Sequence, residues 1–292
     1  MMTPIVDSTT NIFNFLKYKS ILTMNKFILS FSLLLCPIYS FADGYLNEYM
    51  VLFVSQEDPD LSPWKDKPQC KALSTPTSHK GIYENQYVYA NGNALTTIFL
   101  SNSKIKNGEC EHLIHFPDGI QGSGVFESFF PNGKPRSRIA YKNGEYEGKL
   151  EFWFANGIKE QESSIINGES QGDYKIWHPN GQLAFSQNYK NGIENGLRQR
   201  WYSNGKPWTY ANFQNNKLIG ELKMWFENGK LERQGYYRNG VRHNSYKIWY
   251  DNGQPEAVLQ YDLGKITQAQ CWNEDGSQMN QQACNKLYKD ED

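Results

Sequence analysis

The sequence predicts an all-β protein, an elongated antiparallel sheet built from β-hairpin repeats of 24 residues, with irregular β caps at its ends. The first observation is a phrase made of an aromatic pair, one variable residue and Asn-Gly, whose lead aromatic residues are Phe129, Trp153, Trp177, Trp201, Trp225 and Trp249. The second is another phrase in the same register, as in Tyr141-Lys142-Asn143-Gly144. The third is a glycine at positions 148, 172, 196 and 220, which Asn244 replaces in the next copy. Self-similarity at one fixed period is the signature of a repeat architecture.

Each repeat is predicted to contain two strands and two turns. Asn-Gly favours a type I′ hairpin turn, because both residues tolerate the positive φ that this turn requires. The segments between the turns hold roughly six to nine residues, which suits strands and is too short for an independent helix. Successive hairpins should therefore pair edge to edge and add ~10 Å of sheet per repeat.

The strand that leads into each Trp alternates between two kinds of side chain. The positions one and three before the Trp are mostly apolar, as at Leu222 and Met224, while the Trp shares its face with a polar residue such as Lys223. A period of two places these sets on opposite faces of the sheet. Because both sets include aromatic rings, neither face is expected to be simply solvent-facing.

The pattern of Gly, four residues, Trp, Phe or Tyr, one residue and Asn-Gly resembles the MORN repeat variant of bacterial proteins, often described as YwqK-like antitoxins, over residues 125 to about 264. The resemblance implies a β-hairpin repeat used for binding, without catalytic residues, and it leaves the partner open. The chain departs from the pattern at Ile165, Asn216 and Asn244, and at Arg198 and Arg200 where neighbouring repeats are apolar. The two arginines form a basic notch that is either a specific contact or an ordinary solvated strand.

The N-terminal region carries an export pattern. Met24 is followed by a short basic segment, an apolar run and a small-x-small site at Ser40-Phe41-Ala42, which is the order of a secretory signal peptide. We therefore expect translation to start at Met24 and the mature chain at Asp43, located in the periplasm or cell envelope, or secreted. A retained anchor is the alternative, but the run is shorter than the ~20 residues that span a bilayer. A lipid anchor at Cys36 is a further alternative, with the bulky Leu35 in an unfavourable position before it.

The chain divides into four predicted regions: residues 1–42 as the signal peptide region, 43–124 as an irregular N-terminal β cap, 125–276 as the repeats, and 277–292 as a C-terminal cap and tail. In the N-terminal cap, the predicted strands are residues 46–54, 83–91, 94–100 and 111–116, and the predicted loop is residues 57–76. The cap is interpreted as diverged repeats that cover the first edge of the sheet, since a bare edge strand invites aggregation. A separate substrate-binding domain is the alternative.

If Cys36 is removed with the signal peptide, an even number of cysteines remains for an oxidising compartment: Cys70, Cys110, Cys271 and Cys284. None of the four lies in the regular repeats, which favours pairing of Cys70 with Cys110 and of Cys271 with Cys284, although three connectivities exist. No Cys-x-x-Cys pair supports a zinc site. His112 and His115 are three positions apart on a predicted strand and should face opposite sides, so no metal or cofactor is expected.

No arrangement of residues in the sequence indicates catalysis. The chain lacks a Gly-x-Ser-x-Gly elbow, a phosphate loop and a dinucleotide fingerprint. A hydrolase that uses residues 43–124 with His112 or His115 is the least favoured hypothesis. The formal net charge of −1 argues against a general nucleic-acid surface. A non-enzymatic binding protein is therefore expected.

The strongest functional feature is the row of lead tryptophans: Trp153, Trp177, Trp201, Trp225 and Trp249. Aromatic residues are enriched in binding hot spots; the alternative is that these rings stack on one another to hold a one-layer sheet together. With the export pattern, the row favours a protein-binding module, plausibly an immunity or antitoxin protein that neutralises a periplasmic toxin. An envelope-associated binder of lipid or glycan that uses the aromatic ladder is the alternative. The oligomeric state and the binding face are left open.

Overall fold

The computed structural model describes residues 68–110 and 116–288, which lie in one compact unit spanning Ala42–Asp292. The predicted signal peptide, the predicted strand at residues 46–54, His112 and His115 lie outside the described residues. Within them the chain forms a small four-stranded sheet and a long antiparallel sheet of 14 strands. The predicted fold class, an all-β sheet of consecutive hairpins, is confirmed.

The small sheet is formed by the N-terminal strands β1 (Gln69–Pro76), β2 (Tyr83–Val88), β3 (Phe99–Ser101) and β4 (Gly108–Glu109), which pair in the order β3-β2-β1-β4. The prediction of loop over residues 57–76 is wrong where β1 lies. Proline and polar residues suggested a loop, but residues 71–76 pair with β2, and Gln69 and Cys70 pair with β4. Cys70 at the start of β1 is bonded to Cys110, with 5.0 Å between their Cα atoms, so a crosslink holds the strand in place.

The strands of the long sheet follow one another in chain order: β5 (Ser123–Phe129), β6 (Pro135–Lys142), β7 (Glu145–Trp153), β8 (Lys159–Ile166), β9 (Glu169–Ser170), β10 (Gly172–Trp177), β11 (Leu183–Lys190), β12 (Ile193–Trp201), β13 (Pro207–Gln214), β14 (Lys217–Trp225), β15 (Leu231–Arg238), β16 (Val241–Trp249), β17 (Pro255–Asp262) and β18 (Lys265–Cys271). Each strand pairs antiparallel with its neighbour, except that the two-residue β9 pairs only with β8 and leaves β10 to pair with β8 directly. The result is a meander of hairpins.

The outer edge of β5 is hydrogen-bonded by the chain between β2 and β3. The Thr97 amide donates to the Glu127 carbonyl at 2.9 Å, and the Phe129 amide donates to the Leu95 carbonyl at 2.8 Å. The Phe99 ring meets the Phe126 ring edge-on at 5.7 Å between centroids. The first strand of the long sheet therefore does not present an unpaired backbone at these positions.

The two Asn-Gly phrases make different turns. In the second phrase both residues have positive φ, as at Asn143 (53°) and Gly144 (82°), which fits the predicted type I′ turn. In the first phrase only the glycine does, as at Gly157 (91°). There the Phe154 amide donates to the Ile158 carbonyl and closes a longer loop, so the type I′ prediction is wrong for this phrase.

Neighbouring first-phrase turns are tied together by the asparagine that each contains. The Asn156 side chain accepts from the Ile158 amide at 2.9 Å within its own turn and donates to the Pro179 carbonyl of the next turn at 2.9 Å. The second bond recurs between every pair of consecutive turns, with donors Asn132, Asn156, Asn180, Asn204, Asn228 and Asn252. We call this series the turn ladder. Sequence reasoning assigned these asparagines to turn formation and missed this link between repeats.

The third marker of the repeat lies at a register shift between strands. Gly148, for example, has φ of 107° in a stretch of β7 that holds more residues than the part of β6 opposite it. Asn244 stands at the equivalent place in β16 with φ of 62°. Asparagine tolerates the left-handed region better than other residues with a side chain, which explains how it replaces glycine here.

The two faces of the long sheet differ in burial. One face, which we call the core face, carries the residues one and three before each Trp, and its largest apolar cluster includes Leu222, Met224, Tyr246, Ile248 and Leu259. The opposite face, which we call the Trp face, carries the five half-buried lead tryptophans. The predicted alternation therefore separates a packed face from a partly exposed one.

The C-terminal end is closed by a short helix that was not predicted. Helix α1 (Gln281–Leu287) begins after Asn280, whose side chain accepts from the Ala283 amide at 2.9 Å. Cys284 on this helix is bonded to Cys271, the last residue of β18, so both favoured disulfide pairings are present. Among the described residues, no helix has the length and apolar character needed to cross a bilayer.

Candidate binding surfaces of the long sheet

The lead tryptophans lie in one row along the Trp face, and other side chains separate them. Across each first-phrase turn the Trp pairs with the first residue of the next strand: Trp153 with Lys159, Trp177 with Leu183, Trp201 with Pro207, Trp225 with Leu231, and Trp249 with Pro255. We call these ten residues the Trp stripe. Successive Trp residues are two strands apart, about 10 Å from the spacing of strands. Among the described residues no two of these rings are in contact, so the alternative interpretation, in which the rings stack on one another, is wrong.

At the N-terminal end of the stripe, cations from the same chain occupy the faces of the tryptophan rings. The Lys159 ammonium lies 5.8 Å from the centre of the Trp153 ring and 5.9 Å from that of Trp177. Arg138 lies 6.0 Å from Trp153. Cations at such distances are attracted by the ring quadrupole. These two tryptophans are thus already engaged within the protein.

Lys159 is held in place by two carboxylates that face each other across β7 and β8. Its ammonium lies 2.6 Å from both Glu151 and Glu162, and Lys149 bridges the same pair at 2.9 and 3.2 Å. Hydrogen bonds from the lysines lower the pKa of Glu162. For Glu151, burial acts in the opposite direction, but the lysine bonds prevail and its pKa is also lowered. This ion cluster keeps both carboxylates charged and fixes the cation between the rings.

The C-terminal end of the stripe has a different character. In the described part of the chain, Trp201, Trp225 and Trp249 make no ring or cation contact. The residues between and after them are Pro207, Leu231 and Pro255, which are apolar. An uncharged, partly exposed strip is therefore formed by Trp201, Pro207, Trp225, Leu231, Trp249 and Pro255. No aromatic ring or cation of the described chain contacts its three tryptophan rings.

A row of mostly polar residues runs beside the Trp stripe on the same face. Its members pair directly from strand to strand: Glu127, Arg138, Glu151, Glu162, Lys175, Ser186, Gln199, Tyr210, Lys223, Gln234, Lys247, Val258 and Gln270. The charges are paired at the N-terminal end. Along the C-terminal end the row holds Tyr210, Val258, amides and two lysines, of which Lys223 lies 2.8 Å from Glu221 and Lys247 is exposed. The strip there is bordered by weakly basic, hydrogen-bonding groups.

Arg198 and Arg200 lie on the core face, so the structure does not bring them together with the tryptophans. Arg198 donates to Gln187, which is fully buried, at 2.9 Å, and pairs with Glu194. Its guanidinium also lies over the Phe213 ring at 4.0 Å. The interpretation of a solvated strand does not fit, because Arg198 is largely buried and its charge is matched within the protein.

Arg200 is buried more deeply, with 5% of its surface exposed, and its contacts are aromatic. Its guanidinium lies 5.6 Å from the centres of the Phe185 and Trp208 rings. Burial, followed by repulsion from Arg198, lowers the pKa of Arg200 to about 10. The two arginines of the predicted notch are therefore not equivalent.

The histidines in the part of the chain that the structure describes form no site. His178 lies within hydrogen-bonding distance of the Trp201 carbonyl, with 2.9 Å between its Nε2 and the oxygen, and so links two repeats. Tyr202 and Tyr250, at the equivalent place in later repeats, donate their hydroxyls to the corresponding carbonyls. In residues 68–110 and 116–288 no group of His, Cys, Asp and Glu is placed to hold a metal ion.

The stripe residues between the tryptophans were missed by sequence reasoning, although the signal was present. Residues 135, 159, 183, 207, 231 and 255 keep the same period of 24 and follow each lead aromatic by six positions. Following the hairpin register through the turn would have placed them beside the tryptophans. Thr209, which lies opposite Arg200, carries no such periodic signal.

Comparison with protein families identifies the repeat. A family model described as MORN repeat variant matches residues 123–143, 170–191, 194–215, 218–239 and 242–263. These five segments are similar to the MORN repeat variant. The matches leave out residues 144–169, where Ile165 replaces the usual aromatic residue and β9 shortens the pairing of β8 with β10. Each matched segment contains one complete first-phrase turn and ends at the first residue of the following second-phrase turn, as at Asn143. A comparison with curated proteins found no significant match.

Proposed function

We propose that this protein is an exported, non-catalytic module that binds a protein partner through the C-terminal end of its Trp stripe. The observation that carries the proposal is the set of three half-buried tryptophans, Trp201, Trp225 and Trp249, that have no ring or cation partner among the described residues. Large aromatic side chains on a rigid scaffold lose little entropy on binding and dominate many interfaces.

The surroundings of the strip indicate the chemistry of the partner. Proline and leucine between the rings favour an apolar contact, and the bordering amides and Lys247 favour acidic or hydrogen-bonding groups at its margin. An extended or helical segment with apolar anchors and flanking carboxylates satisfies both. Apolar anchors with a polar rim are the usual anatomy of protein interfaces.

We further propose that the partner is a toxin acting in the periplasm, which this protein neutralises as an immunity or antitoxin protein. The export pattern at Met24 supports the location, and two disulfides are compatible with an oxidising compartment. The resemblance to repeat proteins described as antitoxins supports the role. Neutralisation needs only tight binding, so a catalytic centre is not required.

The test is a pull-down of the tagged mature chain, starting at Asp43, from periplasmic extract, with mass spectrometry of the bound species. The contact variant replaces Trp201, Trp225 and Trp249 by Ala, and the matched control replaces Trp153 and Trp177. We expect one protein at near 1:1 stoichiometry, lost with the contact variant and retained with the control. Circular dichroism establishes that both variants fold. Equal loss in both variants, or no stoichiometric partner, would contradict the proposal.

A second candidate function rests on the even spacing of the rings. Tryptophans that repeat at about 10 Å along a flat face present separate platforms on which successive sugar rings of an extended envelope glycan can stack. The two candidates are distinguished by the same pull-down, since glycan recovered without protein favours the second. Liposome binding by the repeats would favour a lipid-binding role instead.

A further inference from the structure

Two arginines occupy the same row of directly paired residues on the core face, and only one of them has an anionic partner. Arg233 on β15 lies 3.2 Å from the carboxylate of Glu232. The side chain of Arg200 on β12 makes no ion pair and no hydrogen bond within the described part of the chain, although the charge of Glu194 acts on it from a longer distance. Arg200 is one of the most buried charged residues there. A buried charge without a counter-charge is unfavourable and is normally paired or replaced by an apolar residue.

A second polar group without a partner lies directly opposite Arg200. Thr209 pairs with it across β12 and β13, is 3% exposed, and has a hydroxyl oxygen with no hydrogen-bond partner. Among the described residues that are not exposed, this is the one fully buried side-chain N or O atom left unbonded. The guanidinium nitrogens of Arg200 also make no hydrogen bond. Since they are not among the fully buried unbonded atoms, they keep some contact with solvent.

Aromatic rings form the walls around these two groups. Phe185 lies opposite Arg200 on the other side, on β11, and Trp208 stacks on Tyr202 at 5.4 Å beside it. The guanidinium of Arg198 binds Gln187 and Glu194, so its own donors are used within the protein. The place therefore offers one fork of N–H donors and one hydroxyl donor between apolar walls.

We propose that Arg200 and Thr209 form a binding site for a carboxylate group on the core face. A guanidinium matches the two oxygens of a carboxylate in a planar, bidentate arrangement, and the threonine hydroxyl supplies a further donor. A carboxylate carries one charge and so balances one arginine, whereas phosphate needs more donors than this place offers. The ring walls suit a carboxylate attached to an apolar body.

The site is independent of the proposed protein contact. Arg200 and Trp201 are adjacent on β12 and point to opposite faces of the sheet. Loss of carboxylate binding would therefore leave capture through the Trp stripe intact, and the reverse also holds. The carboxylate belongs either to a small molecule or to the end of a peptide chain, and both sources present the same group.

The experiment measures the melting temperature of the mature chain while sodium acetate or benzoate replaces sodium chloride at constant ionic strength. Ligands that bind only the folded state raise the melting temperature. We expect a saturable rise for wild type, larger for benzoate than for acetate, and little rise with phosphate. The variant Arg200→Met introduces a methionine, the residue found at the equivalent position of the next repeat, Met224. Without ligand this variant should melt at a higher temperature than wild type, and added acetate or benzoate should not raise its melting temperature.

Two further variants test the assignment. Arg233→Met is the matched control and should melt lower than wild type yet keep the full response to benzoate. Thr209→Val keeps the shape without the hydroxyl and should weaken binding about threefold to tenfold, roughly the loss of one hydrogen bond. A short peptide with a free C-terminal carboxylate, compared with its amide, tests the peptide source by calorimetry.

Each possible result either overturns or supports the proposed carboxylate site. No response of wild type beyond chloride, an unchanged response in Arg200→Met, or preference for phosphate would overturn the proposal. A lower melting temperature for Arg200→Met with an unaltered Thr209→Val response would assign Arg200 a structural role and also overturn it. Binding of free benzoate or of the acid peptide alone supports the site and identifies the source of its ligand.

Discussion

Two parts of the long sheet share one backbone pattern and differ in what their faces carry. The middle part, β7 to β12, places buried polar groups such as Gln187 and Arg200 on the core face and clamps Trp153 with Lys159 on the other. The C-terminal part, β13 to β18, has an apolar cluster on its core face and leaves its lead tryptophans, Trp225 and Trp249, without ring or cation partners among the described residues. The turns fix the backbone in both parts, so the side chains between them are free to serve packing or binding.

This difference indicates a division of labour within a repeat array. Repeat proteins are stabilised by each unit and by its contact with the next, so a well-packed part can support a poorly packed neighbour. In the C-terminal part the core face provides that packing. The middle part also has the weakest pairing, because β8 and β10 are joined at only two residue pairs.

The largest effect is expected from Leu259→Ala in the C-terminal part. Leu259 is fully buried in the apolar cluster, and its truncation leaves a cavity that costs about 2–5 kcal/mol. Chemical denaturation of the mature chain measures the loss in free energy of unfolding. Leu197→Ala, at an exposed position of the middle part, is the control and should change stability by less than about 0.5 kcal/mol. Equal losses would remove the distinction between the two parts.

A smaller effect is expected from Gly235→Ala. An added Cβ would overlap the ring of Tyr246, which lies across Gly235 on the neighbouring strand, so overpacking should cost about 1–3 kcal/mol. One repeat earlier the equivalent residues are Ala211 and Leu222, which coexist. Gly235→Ala combined with Tyr246→Leu should therefore be more stable than the sum of the two single changes predicts. Strict additivity would show that the ring is not the obstacle.

A smaller effect still is expected from acid on the ion cluster of the middle part. Glu151 and Glu162 have a pKa below the ordinary value of 4.5 in the folded protein, so their stabilisation is present above that pH. It is lost as the pH falls through the folded pKa, when the carboxylates protonate. Thermal melts from pH 6 to pH 3 should show a decline that Lys159→Met reduces. An identical decline in this variant would assign the acid sensitivity to other groups.

The smallest effect is expected at the second-phrase turns. Gly240 in the C-terminal part has φ of 85°, and an added Cβ would meet little there, so the cost of a side chain is mainly backbone strain. Gly240→Ala should lose about 1 kcal/mol. Gly240→Asn should lose less, because Asn216 already occupies the equivalent place with φ of 61°. Denaturation of both variants checks the order, and a greater loss for Asn would contradict it.

Much of the fold was predictable because the repeat is a local signal. Asn-Gly pairs fix turns, alternation fixes faces, and both are properties of neighbouring residues. The strand β1 and the helix α1 were missed, since each is held by a partner distant in the sequence, including Cys110 for β1 and Cys271 for α1. Long-range constraints of this kind override local preference.

The candidate sites were predictable in part, for the same reason. The Trp stripe follows from the period, and the predicted row of tryptophans lies on one face of the sheet. The opposite orientation of Arg200 follows from alternation as well. Its lack of an ion pair could not be predicted, because it depends on which residues of β11 and β13 meet it, namely Phe185, Trp208 and Thr209.

The turn ladder has a consequence for how such a chain can change in length. Every link in it joins the asparagine amide of one turn to a carbonyl of the next, at a separation of 22 or 23 residues. Gene duplication or deletion of one 24-residue unit would recreate the same link at the new junction. Evolution can thus lengthen or shorten the sheet in steps of about 10 Å, with its caps unchanged.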